Sequence, residues 1–207
     1  KPTDEETPWQ QYAFERMTEA NPFPSVMGRV CPAPCESGCN RNEVDDFVGI
    51  NAVEHYVGDW AIENKVAYPA AGSDTGKKVA IIGGGPAGLS AAYHLRKLGH
   101  GVTLFDEHEE LGGMMRYGIP GYRTPRDMLD SEINRIIDMG VEVKTSTRIG
   151  EDISMEQVDS DFDAVFWGIG AQSGRALPVT GADASNCITG VAFLEAFNQG
   201  RLQHVTG

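Results

Sequence analysis

Residues 78–106, KVAIIGGGPAGLSAAYHLRKLGHGVTLFD, constrain the fold more than any other stretch of the chain. Lys78 to Ile82 is a short apolar run rich in β-branched residues, the mark of a strand buried on both faces. Gly83, Gly85 and Gly88 follow as G-x-G-x-x-G at the mouth of a helix predicted over 86–98 and ended by Gly99. The first glycine permits a tight turn, the second lets the backbone approach a pyrophosphate, and the third lets helix and strand pack closely. Free N–H groups and the macrodipole at the helix start favour the negative charge of such a group. A second strand, Val102 to Phe105, delivers Asp106, 18 positions beyond Gly88, where a carboxylate can accept hydrogen bonds from a ribose. The competing reading is that the glycines serve only a tight strand-to-helix turn. Strand before, helix after and acid at the end of the next strand together favour a dinucleotide.

The same logic extends along the chain. PRDMLDSEINRIIDM, 125–139, predicts an amphipathic helix with Met128, Leu129, Ile133, Ile136 and Ile137 inward. Val141–Lys144 and Ala164–Trp167 predict further strands. Strand alternating with helix implies an α/β fold, a Rossmann-like, doubly wound parallel sheet covered by helices. Ahead of it, PWQQYAFERMTEA reads as a helix over 8–20, with Thr7 as N-cap and Pro8 at the first helical position. NPFP at 21–24 stops that helix, and the Pro- and Gly-rich cysteine stretch after it reads as irregular. Ile50, Val53, Val57, Trp60 and Ala61 share one face of a helix that fades near Asn64. VAYPAAGSDTGK, with small residues and no periodicity, reads as a linker. The expected organisation is a small helical domain at 1–65, a linker at 66–77 and a dinucleotide-binding domain at 78–207.

Three of the four cysteines stand within RVCPAPCESGCNRNE, as Cys31-x3-Cys35-x3-Cys39. A disulfide would leave one thiol over, and no secretory signal is present. Zinc sites favour C-x2-C pairs separated by a longer loop, which is absent. Radical enzymes that use S-adenosylmethionine follow an x3 gap with an x2 gap, which also fails. Short spacings beside prolines suit thiolates around an iron–sulfur cluster, whose sulfurs need backbone N–H donors. The bland alternative is buried, inert cysteine. Cys187 is remote and reads as structural. The other candidates for completing a ligand set, Glu54 and His55, lie on the helix that follows.

Taken together, NPFPxVxGRVCPxPCExxC, IxxxEHYxGDWA, GGGPAGLSAAYHLRKLGHxVTLFD and ELGGMMRYGIPxYRxP resemble the small (beta) subunit of glutamate synthase and related iron–sulfur flavoproteins, from about Asn21 onward. The tail GAQSGRALPVTGADA is most similar to the flavoprotein partner of dissimilatory sulfite reductase. The resemblance implies that the dinucleotide is FAD, with contacts at Gly83, Gly85, Pro86, Ala87, Gly88 and Leu89, then at Asp106, Glu107, Gly112, Gly113 and Met114, and further on at Arg123, Ile149 and Gly170. For Arg123 the bland alternative is a surface arginine. The resemblance further implies a [4Fe-4S] cluster on Cys31, Cys35 and Cys39, with Glu54 at the position of an unusual non-cysteine ligand. Relatives carry four more cysteines upstream and share ligands between two clusters, so it does not assign all three thiols to one cluster. It also places an NAD(P)H domain after residue 207. The implied activity is that of an NAD(P)H:acceptor oxidoreductase with an electron-exchanging protein partner, one like the glutamate synthase large subunit or sulfite reductase, in a hetero-complex or a homodimer. No side-chain acid, base or nucleophile is needed. The rival class is a non-catalytic, flavoprotein-like scaffold or relay module of a larger complex.

Composition excludes other classes. With 17 basic against 30 acidic residues and a net charge of −13, the chain has no basic stripe for a nucleic-acid backbone or an anionic membrane surface. No apolar run approaches the roughly 20 residues needed to span a bilayer. KPTDEETPWQ has no apolar stretch of a signal peptide and opens on lysine, so an upstream targeting segment stays open. Clustered thiols point to a reducing compartment, and the expected location is the cytoplasm.

Overall fold

A computed structural model describes residues 7–175 and 177–202. The first part is helical: α1 (Trp9–Met17), α2 (Pro24–Val30), α3 (Pro34–Ser37), a 3-10 turn at Asn40–Glu43, and α4 (Ile50–Glu63). Two expectations are corrected here. Pro8, not Thr7, is the N-cap of α1, and proline has no side-chain acceptor to cap it. The cysteine stretch is not irregular: Pro24 starts α2 and Pro34 starts α3, each at the first helical position where a missing N–H costs nothing.

Helix α2 lies back to back with α4. A Cβ on Gly28 would fall 2.5 Å from the Cα of His55, so only glycine permits that approach. Val26, Val57 and Ala61 fill the contact and are fully buried. The apolar face expected for α4 is buried only in its second half, whereas Ile50 (50% exposed) and Val53 (47%) face outward.

After residues 64–77 the chain enters a four-stranded sheet of β1 (Lys78–Ile82), β2 (Gly101–Phe105), β3 (Glu142–Lys144) and β4 (Ala164–Trp167). Every pairing is parallel and the order is β3-β2-β1-β4. The connections include α5 (Pro86–Lys97), α6 (Met114–Tyr117), α7 (Arg126–Ile137) and α8 (Met155–Asp161), and α9 (Gly190–Asn198) follows β4. The period-two alternation of strand side chains feeds two cores. Ile81 and Leu104 join Leu89, Leu129 and Ile136 on one face. Ala80 and Phe105 join Val158 on the other. Helices on both faces satisfy the requirement of a parallel sheet for cover on each side, which is the α/β class expected from the sequence.

One buried carboxylate ties the helical part to the sheet part. Glu132 of α7 is fully buried, and its two oxygens accept from the backbone N–H groups of Ser25 (2.8 Å) and Val26 (3.0 Å) at the start of α2. Beside it, Arg29 donates through two nitrogens to Asp59 (2.6 and 2.8 Å) and through one of them to Ser25 Oγ (2.7 Å). Burial opposes ionisation of Asp59, but the Arg29 and Ser25 hydrogen bonds and the Arg29 charge hold it below the usual carboxylate range. Among the described residues no helix is long and apolar enough to cross a membrane.

Candidate cofactor sites

The glycine loop sits where β1 ends and α5 begins. Gly83 N–H donates to Phe105 O (2.8 Å) and Gly168 N–H to Ile82 O (2.8 Å), so the loop leaves the sheet between β2 and β4. Gly83 has φ +106, a conformation that disfavours any side chain, and a Cβ on Gly88 would strike the Gly83 carbonyl. A second pass of chain, Gly112–Gly113, lies against the loop. Gly112 N–H donates to Gly84 O (2.8 Å), and a Cβ on Gly113 (φ +49) would fall 2.7 Å from the Gly85 Cα. Two stretches of bare backbone therefore face each other at the start of α5.

Asp106 locks this arrangement. It is 8% exposed; Oδ2 accepts from Gly84 N–H (2.6 Å) and Oδ1 from His108 N–H (2.8 Å). Oδ2 keeps a lone pair for a further donor, whereas Oδ1 also lies 3.1 Å from His108 Nδ1. A cavity of about 400 Å³ opens beside it at the carboxyl ends of β1, β2 and β4, the position where open α/β sheets bind ligands. Gly83, Asp106, Glu107, Ile149 and Gly170 line it, as do His108, Thr147, Arg148, Trp167 and Gln172. Of those last five, Thr147, Arg148 and Gln172 escaped the sequence reading. Thr147 and Arg148 reach the cavity only because β3 pairs with β2, and Trp167 only because β4 pairs with β1.

The remaining predicted contacts divide. Gly85, Pro86, Ala87 and Gly88 form the helix start, and Met114 begins α6 beside Gly113. The Leu89 side chain is fully buried in the core, leaving only its backbone near the loop. Arg123 is exposed, outside the cavity lining, in a turn where its N–H donates to Pro120 O (2.9 Å). The turn is held by Arg126, which donates to the carbonyls of Met115, Arg116 and Ile119. A two-pass glycine cradle, a helix start and a buried acid on adjacent parallel strands fit a dinucleotide with its pyrophosphate over the loop.

The cysteines lie on the helical part. Cys31 is the C-cap of α2, and its Sγ accepts from Ala33 N–H (3.4 Å). Cys35 is in α3, and Cys39 precedes the 3-10 turn. Backbone N–H groups of Val48, Arg41 and Asn42 hold the Cys39 thiol below the usual thiol range. Amide donors around sulfur are what a cluster thiolate requires, so the donor chemistry fits. Among the described residues, however, no three His, Cys, Asp or Glu side chains converge on one point. Glu54 Oε1 accepts from Asn21 Nδ2 (2.7 Å), and His55 Nε2 is 3.2 Å from Asp59 Oδ2. Cys187 is exposed, with Sγ 3.4 Å from Gly181 O.

Comparison with known proteins covers both parts of the chain. Residues 6–66 match the family described as dihydropyrimidine dehydrogenase domain II, 4Fe-4S cluster. Residues 81–133 match the NAD(P)-binding Rossmann-like domain. The chain is 44% identical over 181 residues to the NADPH-Fe(3+) oxidoreductase subunit beta of Geobacter sulfurreducens, covering 84% of this chain and 27% of the relative. It is 40% identical over 177 residues to the glutamate synthase [NADPH] small chain of Bacillus subtilis, covering 85% and 36%. The NADP(+)-dependent formate dehydrogenase subunit beta of Moorella thermoacetica is 39% identical over 206 residues, covering 88% and 29%. The chain thus spans about a third of the length of these relatives. FprA of Mycobacterium tuberculosis, solved in complex with NADPH, superposes with a TM-score of 0.56 at 23% identity, over 59% of this chain and 29% of that one; this likeness supports the fold. The chain thus matches a 4Fe-4S domain family ahead of a Rossmann-like domain family, and is similar over both to glutamate synthase small chains and related NADPH-dependent oxidoreductase subunits.

Proposed function

We propose that this chain is the flavin- and cluster-bearing part of an NAD(P)H:acceptor oxidoreductase. The observation that carries the reading is the two-pass glycine cradle with its buried Asp106, in one chain with Cys31 and Cys39 thiols that meet backbone amide donors. FAD is favoured over a nicotinamide dinucleotide because the second pass, Gly112–Gly113, belongs to the ELGGMM motif of the flavoprotein half. The proposed division is a cluster domain at 1–65, a linker at 66–77 and an FAD domain from 78, with the NAD(P)H site beyond residue 207.

When bound, a flavin accepts two electrons as hydride and releases them singly, which joins a nicotinamide to a one-electron cluster. The chain's own residues bind and orient. Asp106 would accept from the ribose while it holds the glycine loop in place, and the start of α5 would face the pyrophosphate. Glu107, Ile149 and Gly170 would line the dinucleotide site, with Arg123 reaching it from the neighbouring turn. Cys31, Cys35 and Cys39 would supply thiolates to a [4Fe-4S] centre, with Glu54 as the non-cysteine candidate. Burial and amide donors around the sulfurs would set its potential. Glu132 would hold α2, and with it Cys31, against the sheet domain. The partner would be an electron-exchanging protein in a cytoplasmic hetero-complex, since the relatives named above include subunits or chains of such enzymes.

The absorption spectrum of the purified protein tests this reading. Flavin bands together with broad iron–sulfur absorption are expected. A preparation that stays colourless after reconstitution with FAD, iron and sulfide would overturn it and favour the non-catalytic, flavoprotein-like scaffold.

A further inference from the structure

A cavity of about 560 Å³ lies away from both cofactor sites, between residues 62–71, where the chain leaves α4, and the outer side of α7. It is of a size that holds a small organic molecule, and it sits at a junction between folded units, a common place for one. Arg135 lines it. This side chain is only 8% exposed, with its guanidinium carbon 5.0 Å from the Phe14 ring centre and 5.2 Å from that of Tyr68. The two stacked rings flank it on one side, and hydrogen bonding at its edge is incomplete. Nη1 is sealed from solvent and has no hydrogen-bond partner.

The neighbouring polar groups leave Nη1 unpaired. Arg135 lies close to the Tyr68 hydroxyl, which itself donates to Pro22 O (2.5 Å). The Glu132 oxygens accept from Ser25 and Val26, and Arg135 acts on Glu132 through its charge, with no hydrogen bond from Nη1. A buried guanidinium with an unsatisfied donor is costly, and a carboxylate is the acceptor whose planar geometry matches it. The other walls narrow the class of ligand. Val66, Pro69, Ala70 and Met139 present apolar surface, while Asp138 also lines the space and opposes a second negative charge. Ser131, Asn134 and Lys65 offer further donors at the rim.

We propose that this cavity binds an organic monocarboxylate, its apolar body along residues 66–70 and its carboxylate on the guanidinium of Arg135. Binding would draw the guanidinium toward the cavity and give Nη1 its acceptor. The site is independent of the oxidoreductase reading, because it uses no residue of either cofactor site.

Saturation-transfer NMR on the holoprotein, with benzoate as probe and benzamide as its uncharged counterpart, tests the assignment. Benzoate should show transfer and benzamide at least about tenfold less, the ratio expected if the charge-assisted contact is worth one decade of affinity. Arg135→Gln should abolish the benzoate signal. Ala70→Trp, which fills the mouth from an exposed position and leaves Arg135 in place, should do the same, and it decides the matter if the Arg135 variant fails to fold. No transfer to benzoate in the unaltered protein, equal transfer to benzamide, or undiminished transfer in Ala70→Trp would overturn the proposal.

Discussion

Replacing Glu132 by glutamine should change how stability depends on pH more than it changes stability at any one pH. Burial pushes the carboxyl up to about 7 from an ordinary 4.5, opposed by the two amide N–H groups of Ser25 and Val26 and by the Arg135 charge. Because the folded-state value lies above the unfolded one, the folded chain binds the proton more tightly. Its contribution to stability is therefore full below about pH 4.5 and is lost as pH rises through about 7. A difference of 7 − 4.5 at about 1.4 kcal/mol per unit corresponds to about 3 kcal/mol across that window. Glutamine keeps the shape and one acceptor but turns an NH2 toward one of the two amides, costing about 1–3 kcal/mol for the unsatisfied donor. At pH 5 the variant should be the less stable protein by that amount. By pH 8 the gap should close or reverse, because the wild type then buries a charge and the variant does not. Urea unfolding followed by circular dichroism at several pH values gives both curves, and their difference cancels the opposite slope from depressed carboxyls such as Asp59. Parallel curves from pH 4.5 to 8 would refute the reasoning.

Three further outcomes follow from the two cofactor sites. Gly113→Ala puts a side chain at φ +49 and within 2.7 Å of the Gly85 Cα; strain of about 1–2 kcal/mol, roughly tenfold in affinity, should appear as lost flavin retention on gel filtration. In cluster-free protein, alkylation of Cys39 by iodoacetamide should titrate below the ordinary thiol range, since amides of Val48, Arg41 and Asn42 favour its thiolate; mass spectrometry of the labelled peptide against pH checks this. Glu54→Ala should alter the paramagnetic spectrum or potential of the reduced cluster, and an unchanged signal would leave Glu54 as the hydrogen-bond partner of Asn21 alone.

The sheet and its glycine loop were legible because strand period, turn residues and the acid after β2 are local patterns that agree with one another. Strands β1 and β4 fall where their apolar runs predict, and α7 shows the expected period, with Leu129, Ile133 and Ile136 buried. That period hid Glu132 and Arg135: both charged residues belong by type to the solvent face, and their partners are set by tertiary contact. The amides that meet Glu132 lie 106 and 107 positions earlier in the chain. Helix α2 was missed for a different reason. Proline reads as a breaker, yet at the first helical position it costs no hydrogen bond. The exposed Ile50 and Val53 are the converse, apolar by period but without a covering element among the described residues.

Anaerobic reductive titration, followed at once by absorption and by low-temperature electron paramagnetic resonance, tests the central claim most directly. An electron-transfer flavoprotein should show flavin bleaching and a reduced iron–sulfur signal in the same preparation. Flavin bleaching without a paramagnetic iron signal in protein reconstituted with iron and sulfide would contradict it.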